Sequence, residues 1–508
     1  MNTPRPALKY LVPLFLLPLF FLLHGVNENF GLIPPAAGGW LLGKYFLLAA
    51  SLLGASLLLF RNLQKAALFT FFGQCIYFFF GAVHDHLKEA VPGSLFSSYS
   101  FLLPASALCL LAVWVYLFQS KAHGSRLIRF LTLLLGLFCG WEAGLLAYQA
   151  ATGKDQANNL MGRTSLPPLH PLPNRHTSKP DIYFIVLDEY TSSACLRQEF
   201  NFDNSGLDSL LRANRFFISA ASRSNYNVTP FSLASTLGLH YLRPGLERQQ
   251  VSHREFLQAI ATLKNAWLPQ FLKQQGYAIK NYGCFDLEGT PSETLPYFYG
   301  KDREQIDNQT LASRIDRDIW WNFSTRNIFT GAFQVPHYYK KQKQYHLFRN
   351  KFNFESVVQE VKAESSQPKF VYTHLMLPHE PFYLDAAGRE VPDKAVILQD
   401  QDTKEAYLKQ VIFTNRLLQQ LVPLVPKHAQ RERVVIIQGD HGYRFFSGKD
   451  AKQKEFMNLN AYYFSDGDYS MLYEGISPAN TFRVVLNKYF QQSLPLLKDS
   501  STSIIFKE

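Results

Sequence analysis

Four groups of side chains in the second part of this 508-residue chain are of types that bind a cation and transfer an anionic group. Asp188-Glu189 and Asp440-His441-Gly442 each follow an apolar run, so carboxylates and an imidazole come at the ends of two predicted strands. Oxygen and nitrogen ligands together favour zinc or manganese over calcium. The alternative is that these acids only cap the turns after the strands. That alternative is less convincing for the whole set of residues than for any one of them.

Thr229 is the third group. Pro230 suits the first position of a helix, which predicts Thr229 at the N-cap. Capping is the ordinary role of such a residue. The functional alternative is a nucleophile, because free N–H groups at a helix start receive phosphate or sulfate oxygens. A metal on Asp188, Asp440 and His441 would also lower the pKa of the Thr229 hydroxyl.

The fourth group is His379, which lies between Pro378 and Pro381 in a segment that cannot be helical. It follows a predicted strand, where an imidazole can bind an anionic oxygen or protonate a leaving group. His374 lies within that strand, and the argument that it binds substrate is weaker than for His379. His374 is either a second substrate-binding residue or a core histidine with satisfied hydrogen bonds.

Continuous apolar runs rich in β-branched residues predict buried parallel strands that would position these groups. The predicted strands are 181–187, 216–218, 277–281, 369–375 and 433–438, and the predicted helices are 205–214, 254–275 and 403–422. This alternation indicates an α/β domain with a mainly parallel central sheet. Such sheets bind ligands at the C-terminal ends of their strands.

Residues 1–150 have a different composition, with only four of the 40 acidic residues and nine of the 51 Lys and Arg residues. Five apolar stretches in this part are long enough to span a membrane, and they are 8–24, 39–60, 66–83, 100–119 and 127–149. We therefore exclude a simple soluble enzyme. The chain has no dense Lys/Arg run, which argues against nucleic acid as a partner.

The loops between the predicted spans differ in basic residues. The basic loops share one side of the membrane and contain Arg5, Lys9, Arg61, Lys65, Lys121, Arg126 and Arg129. The alternate loops, 25–38 and 84–99, contain only Lys88. The positive-inside rule then predicts a cytoplasmic N-terminus and places everything after residue 150 outside. The domains would be 1–150 in the membrane, a Pro-rich linker at 151–180 and an extracytoplasmic domain at 181–508.

Three features leave alternatives open. His84-Asp85-His86 is either a metal site or a solvated loop, since residues two apart do not share a helix face. The aromatic-rich stretch 290–350 is either a covering layer on the core or a cover that faces substrate or membrane. Cys195 and Cys284 form one disulfide or remain free thiols.

In this order the four groups resemble the alkaline phosphatase superfamily. The closest resemblance is to its sulfatase-like branch, with the membrane-bound lipoteichoic acid synthases and the phosphoethanolamine or phosphoglycerol transferases. Those proteins also have several N-terminal spans before an outer catalytic domain. The resemblance implies Asp188, Thr229, Asp440 and His441 as metal ligands, Thr229 as nucleophile, and His379 of a Pro-His-x-Pro-Phe segment as the anion-binding residue.

Two departures from the family pattern narrow the expected chemistry. Sulfatases oxidise a Cys or Ser in a Cys/Ser-x-Pro-x-Arg context to formylglycine, whereas the run at Thr229 has neither Cys nor Arg, and Thr cannot form that aldehyde. Two-metal members add an Asp and two His residues, and no Asp-x-x-x-His occurs here. The expected cofactor is therefore one divalent metal, zinc or manganese.

The expected protein is a multi-pass protein of a bacterial inner membrane. It would be a metal-dependent phosphotransferase acting on phosphoglycerol or phosphoethanolamine headgroups through a covalent threonine intermediate. Its partner would be a lipid or glycan substrate at the outer leaflet. The alternatives are a sulfatase-like hydrolase or phosphodiesterase of the same fold and a non-catalytic membrane scaffold.

Overall fold

The structure is a computed structural model that describes residues 7–31, 33, 35–120, 124–152, 179–242, 248–287, 289–294, 301–325, 333–398, 402–426, 431–448 and 450–506. The chain divides into two compact units. One comprises Met1–Gln156 with Gly300–Gln334, and the other comprises Ala157–Tyr299 with Val335–Glu508. The segment at 300–334, which the sequence analysis assigned to the extracytoplasmic domain, thus belongs to the unit of the N-terminal helices. Most of the predicted linker at 151–180 lies outside the described residues.

The helices and strands are numbered in chain order. The α-helices are α1 (Ala7–Glu28), α2 (Pro35–Phe60), α3 (Leu63–Ala90), α4 (Tyr99–Gln119), α5 (Ser125–Thr152), α6 (Ser193–Phe200), α7 (Ser205–Ala213), α8 (Thr229–Gly238), α9 (His253–Lys264), α10 (Trp267–Gln274), α11 (Lys301–Asp307), α12 (Leu311–Ile315), α13 (Trp321–Ser324), α14 (His337–Lys362), α15 (Asp393–Ile397), α16 (Thr403–Leu421), α17 (Ala451–Lys454) and α18 (Pro478–Tyr489). The β-strands are β1 (Asp181–Leu187), β2 (Phe217–Ile218), β3 (Arg248–Val251), β4 (Ala278–Tyr282), β5 (Lys369–Leu375), β6 (Arg433–Gly439), β7 (Asn460–Phe464) and β8 (Ser503–Phe506).

Helices α1–α5 contain the five predicted spans, and each is long and apolar enough to cross a membrane. Apolar residues predominate in each helix, and a helix satisfies its backbone hydrogen bonds internally where water is absent. Leu14, Leu17, Tyr45 and Phe78 are almost fully buried where α1, α2 and α3 pack. The prediction of a multi-pass membrane protein is confirmed by the number, length and composition of these helices.

The second unit is built on a six-stranded sheet in the order β2-β7-β6-β1-β5-β4. Strands β6, β1, β5 and β4 are parallel, and β7 runs antiparallel to β6. All seven residues of β1 are buried, because the strand lies in the centre with helices on both faces. The predicted α/β fold with a mainly parallel sheet is confirmed.

Alternate residues of β1 belong to the two hydrophobic cores of this unit. Phe184 and Val186 lie in the core that includes α8, α9, α10 and α18. Ile185 and Leu187 lie in the core that includes α14 and α16. The end of β1 is thereby fixed from both faces, which leaves little freedom for the residue that follows it.

Several elements differ from the prediction, among them strands β3 and β8 and helices α6 and α14, which the sequence did not predict. The helix predicted at 254–275 is two helices, α9 and α10, with a break at Asn265-Ala266. The break places Pro269 in the first turn of α10, where its missing N–H removes no hydrogen bond. Strand β7 was not predicted, because its sequence Asn-Ala-Tyr-Tyr-Phe is short and begins with a polar residue.

Candidate metal centre and active site

The strand register brings the predicted site residues to one edge of the sheet. Leu187 at the end of β1 pairs with Gly439 of β6 and with Leu375 of β5. The next residues, Asp188 and Asp440, therefore leave the sheet side by side. Neighbouring parallel strands end at the same edge, which is where such folds bind ligands.

Asp188, Asp440 and His441 form the only cluster of His, Cys, Asp and Glu side chains in the described part of the chain that is close enough to hold a metal ion. One ligand atom from each lies within 4.8 Å of the others. The sequence His84-Asp85-His86 forms no such cluster and lies in α3.

The cluster has the unsatisfied atoms that a cation would need. Asp188 Oδ1 and Asp440 Oδ2 are buried and accept no hydrogen bond. His441 Nδ1 lies 2.8 Å from the carbonyl oxygen of Gly442, to which its N–H donates, so the Nε2 lone pair remains available. Leaving two buried carboxylate oxygens unpaired is costly, and a bound cation would remove that cost. The donor set of two oxygens and one imidazole nitrogen fits a divalent metal.

The turn after β6 holds Asp440 rigidly. Its Oδ1 accepts the backbone N–H groups of Glu189 and His441, both at 2.9 Å. Gly442 is required because a Cβ atom there would lie 2.7 Å from the carbonyl oxygen of Met457. The glycine thus allows close backbone approach, and its φ angle is not in the left-handed region.

Glu189 has a φ of 64°, which is a left-handed conformation that costs a non-glycine residue about 1–2 kcal/mol. Its backbone N–H donates to Asp440, and its Oε1 accepts the backbone N–H of Arg444 at 2.9 Å. Its Oε2 is buried without a hydrogen bond. This strained residue therefore adds a third buried carboxylate beside the candidate metal ligands.

Thr229 is the first residue of α8, and Val228 is the N-cap. The predicted N-cap position of Thr229 is therefore wrong, and Pro230 takes the second helical position. As the first helical residue Thr229 is not in the capping position, and its Oγ1 lies 3.4 Å from His441 Nε2. The helix is tied to the turn after β6 because Ser232 Oγ donates to the Asp440 carbonyl at 2.6 Å. The Thr229 hydroxyl is thus directed at the cluster.

His379 lies on the accessible side of the cluster. Its Nε2 is 4.0 Å from Asp188 Oδ1 and accepts a hydrogen bond of 2.7 Å from Arg444 Nη2. Its Nδ1 contacts the carbonyl oxygen of Glu380. Gln410 of α16 holds the loop, since its amide donates to the carbonyl oxygens of Pro378 and His379. Sequence reasoning missed Arg444, although it follows His441 by three residues.

His374 is fully buried and faces Asp188 rather than the accessible side. Its Nε2 lies 3.1 Å from Asp188 Oδ2, so it supports the oxygen that is not directed at the cation cluster. Cys284 Sγ and Tyr372 OH each lie 3.1 Å from His374 Nδ1. Cys284 and Cys195 are both free thiols.

Polar residues on the buried face of α14 hydrogen-bond to the end of β5 and to the loop that follows it. Asn350 Oδ1 accepts the N–H of Met376 at 2.7 Å, and Asn353 Nδ2 donates to the carbonyl oxygen of His374 at 3.1 Å. His346 packs its ring against Tyr383. These residues were missed, although their spacing at 346, 350 and 353 puts them on one helix face.

The electrostatics of the cluster follow from burial and neighbouring charge. Burial raises the pKa of Asp188, but His379, His374 and His441 outweigh it and hold that pKa below its usual range. Burial lowers the pKa of His374, but Cys284 and Asp188 raise it well above its ordinary value. Burial lowers the pKa of Arg444, yet Glu189 raises it, so the guanidinium stays charged. The site therefore keeps an ionised carboxylate next to a fixed positive charge.

Comparison with known protein families matches the sulfatase family to residues 200–478, which is more than half of the chain. The matched range contains Thr229, His379, Asp440 and His441 and begins after Asp188. A comparison with curated proteins gave no match.

Among solved structures, the chain is similar to the C-terminal periplasmic domain of EptC from Escherichia coli in complex with zinc. The identity is 12%, the TM-score 0.38, and the match covers 66% of this chain and 92% of that one. It is also similar to the periplasmic domain of phosphoethanolamine transferase EptC from Campylobacter jejuni, at 12% identity, TM-score 0.36, and 63% and 92% coverage. A putative sulfatase from Bacteroides fragilis matches at 15% identity, TM-score 0.35, and 63% and 76% coverage.

A mainly parallel sheet between helical layers, with acidic and imidazole ligands at its strand ends, is the arrangement of the alkaline phosphatase superfamily. Within that superfamily the chain belongs to the sulfatase family. It is a sulfatase-like hydrolase or transferase, and the resemblance inferred from the sequence is confirmed. The family fold is metal-dependent, and the cluster of Asp188, Asp440 and His441 can hold a metal.

Proposed function

We propose that the protein is a membrane-anchored, metal-dependent phosphotransferase that acts on phosphodiester headgroups through a covalent intermediate on Thr229. The observation that carries the proposal is the Thr229 hydroxyl, which lies 3.4 Å from His441 Nε2 in the same cluster as two unpaired carboxylate oxygens. The nucleophile type also argues against the formylglycine route of sulfatases.

Asp188, Asp440 and His441 would hold one zinc or manganese ion, with the Thr229 oxygen as a further ligand. Bound there, the cation would lower the pKa of the Thr229 hydroxyl and balance negative charge on the phosphoryl oxygens. Glu189 and Asp440 keep the ligand turn in place through the hydrogen bond between them. His374 supports Asp188 from behind, so we assign it a positioning role in place of the predicted substrate contact.

Thr229 Oγ1 would lose its proton and attack the phosphorus atom, and the bond from phosphorus to the leaving alcohol would break while that alcohol takes up a proton. The headgroup would remain esterified to the phosphoryl group on Thr229. His379 and Arg444 would orient the anionic oxygens, because both lie on the accessible side and Arg444 stays charged. An acceptor hydroxyl would then remove the phosphoryl group from Thr229. The substrate would be a lipid or glycan headgroup at the outer leaflet, of phosphoglycerol or phosphoethanolamine type.

The same proposal includes the placement of the chain. Residues 1–150 would form the membrane domain of a bacterial inner-membrane protein with a cytoplasmic N-terminus, and 151–180 would link it to an extracytoplasmic catalytic domain in 181–508. A reporter that is active only outside the cytoplasm, fused after residue 180, should be active. An inactive fusion there would refute this orientation.

The decisive experiment compares Thr229→Ala and Thr229→Ser with a control, Ser235→Ala, in the same helix. Ser235 donates to the carbonyl oxygen of His240 and does not face the cluster. Turnover of an activated phosphodiester should fall by several orders of magnitude in Thr229→Ala, because a covalent nucleophile is lost, and should be partly kept in Thr229→Ser. The control should retain turnover.

Mass spectrometry of wild type quenched during turnover should find the phosphoryl group, still esterified to the part of the substrate that did not leave, on the peptide that contains Thr229. Analysis of products from a lipid donor then separates transfer from hydrolysis, since water as acceptor yields the free headgroup phosphate. Wild-type turnover by Thr229→Ala would refute the covalent mechanism.

A further inference from the structure

The segment 301–325, which comprises α11, α12, a π-helical turn at Asp316–Trp320 and α13, packs on the spanning helices within their own unit. Ile306 is almost fully buried in the core formed by α1, α2 and α3. A Cβ atom on Gly25 would lie 2.8 Å from Ile306 Cγ1, so that glycine permits the contact. The backbone N–H of Gly81 also donates to the carbonyl oxygen of Gln309 at 2.9 Å.

Ionic contacts fix the same segment on the helices. Arg314 donates to both carboxylate oxygens of Asp85, at 2.7 and 2.5 Å. Asp307 accepts from Lys44 Nζ at 2.5 Å and from Tyr45 OH at 3.0 Å. A bidentate Arg–carboxylate pair has a defined geometry, so the segment is held in one orientation.

These contacts set the depth of the segment in the membrane. Residues 45–60 of α2 are uncharged and end before Arg61, which places Lys44 about 24 Å along the helix from that end. Residues 66–83 of α3 are uncharged and follow Lys65, which places Asp85 about 27–30 Å from the same end. A hydrocarbon layer is about 30 Å thick. Lys44 and Asp85 thus lie near one boundary of that layer, and so does the segment bonded to them.

Two large apolar side chains project from the segment at this level. Trp320 and Phe323 are 50% and 55% exposed, and as residues three apart on a helical path they share a face. Arg317, which pairs with Asp318, lies on the same stretch. Aromatic residues beside a cation are typical of the layer between lipid headgroups and acyl chains.

We propose that the face of segment 301–325 formed by Trp320 and Phe323 is a lipid-binding surface, which inserts into the headgroup layer on the side of the membrane where α1 ends. The occupant is bilayer lipid, because the surface is continuous with helices that already face lipid and lies at the boundary of the hydrocarbon layer. Of the two interpretations of the aromatic-rich stretch, Trp320 and Phe323 would then belong to a cover that faces the membrane and not to a layer on the core. It does not depend on the reaction at Thr229.

The test measures the depth of a fluorescent label in the full-length protein. Cysteine replaces Phe323 or Trp320 in a background in which Cys75 and Cys109 are alanine, and each variant is labelled with bimane. The protein is reconstituted into vesicles of phosphatidylcholine and phosphatidylglycerol. Quenching is compared for lipids with a nitroxide at acyl carbon 5 and for aqueous iodide.

Two reference positions calibrate the response. Native Cys109, kept in a protein in which only Cys75 is alanine, is exposed within α4 and reports lipid. Glu364→Cys lies in an exposed polar loop after α14 and reports water. Labels at 320 and 323 should be quenched by the nitroxide lipid about as strongly as the label at Cys109. Iodide should quench them at least about threefold less than the label at Glu364→Cys. A water-type response at either position would overturn the proposal, and the two variants test it independently.

Discussion

Replacing Asp440 by asparagine separates its two functions, because each carboxylate oxygen has a different partner. Oδ1 accepts the N–H groups of Glu189 and His441, and an amide oxygen in its place keeps both bonds. Oδ2 is buried and unpaired, and it lies 3.5 Å from His441 Nε2. An amide nitrogen at that position can donate to the free Nε2 lone pair. Asp440→Asn should therefore keep the turn and remove a metal ligand and a buried negative charge.

The expected effect has opposite signs with and without metal. Without metal, Asp440→Asn should stabilise the protein by about 1–3 kcal/mol, which is the cost of an unsatisfied buried charged group. With metal at a hundred times its Kd, wild type should gain about 2.7 kcal/mol, and the variant should gain little. At about 2–4 °C per kcal/mol, the wild-type shift in Tm on adding zinc would be about 5–11 °C.

The assay is thermal unfolding of the full-length protein in detergent, in a chelator and then with zinc or manganese added. The control is Asp181→Asn, which changes a buried aspartate at the opposite end of β1. Asp181 accepts the N–H of Lys369 at 3.1 Å and lies 3.5 Å from Arg431, away from the cluster. The control should keep the full metal-induced shift. A metal shift in Asp440→Asn as large as in wild type, or a less stable metal-free variant, would refute the assignment of Asp440 Oδ2 as a ligand atom.

Three further predictions concern the residues around the cluster. His374→Gln should weaken zinc affinity about 10–100-fold in chelator competition, because it removes the bond to Asp188, and Cys284→Ala should show a smaller loss while Cys195→Ala shows none. Arg444→Ala should raise the KM for an anionic phosphodiester about 10–100-fold, with partial recovery in a lysine variant; an unchanged KM would exclude the residue from anion binding. Burial and then the charge of Arg349 lower the pKa of His346 to about 3, so the unfolded chain binds an extra proton between that value and about 6.5. Stability should therefore rise with pH across this window by up to about 1.4 kcal/mol per pH unit, and His346→Asn should remove that part of the slope in unfolding measured from pH 4 to 7.

Several parts of the molecule follow from the chain alone. Five long stretches of residues 1–150 are apolar enough to span a membrane, so the positions of the five helices are read directly from the sequence. The runs that become β1, β5 and β6 are apolar throughout, because strands in the centre of a parallel sheet are buried on both faces. Once those strands are parallel neighbours, Asp188, His379 and Asp440 must come to one edge of the sheet.

Tertiary structure decided what depends on contacts between distant residues. The sequence could place His374 near the site but could not show that its imidazole faces Asp188 from the buried side, since that depends on the register of β1 against β5. The N-terminus of α8 lies one residue earlier than the proline alone suggests, and this frees the Thr229 hydroxyl from capping. The aromatic-rich stretch divides between the two units, because charges at Asp307 and Arg314 find partners on α2 and α3 more than 200 residues away. Local pattern carries no information on such pairings, whereas burial and charge compensation in the folded chain determine them.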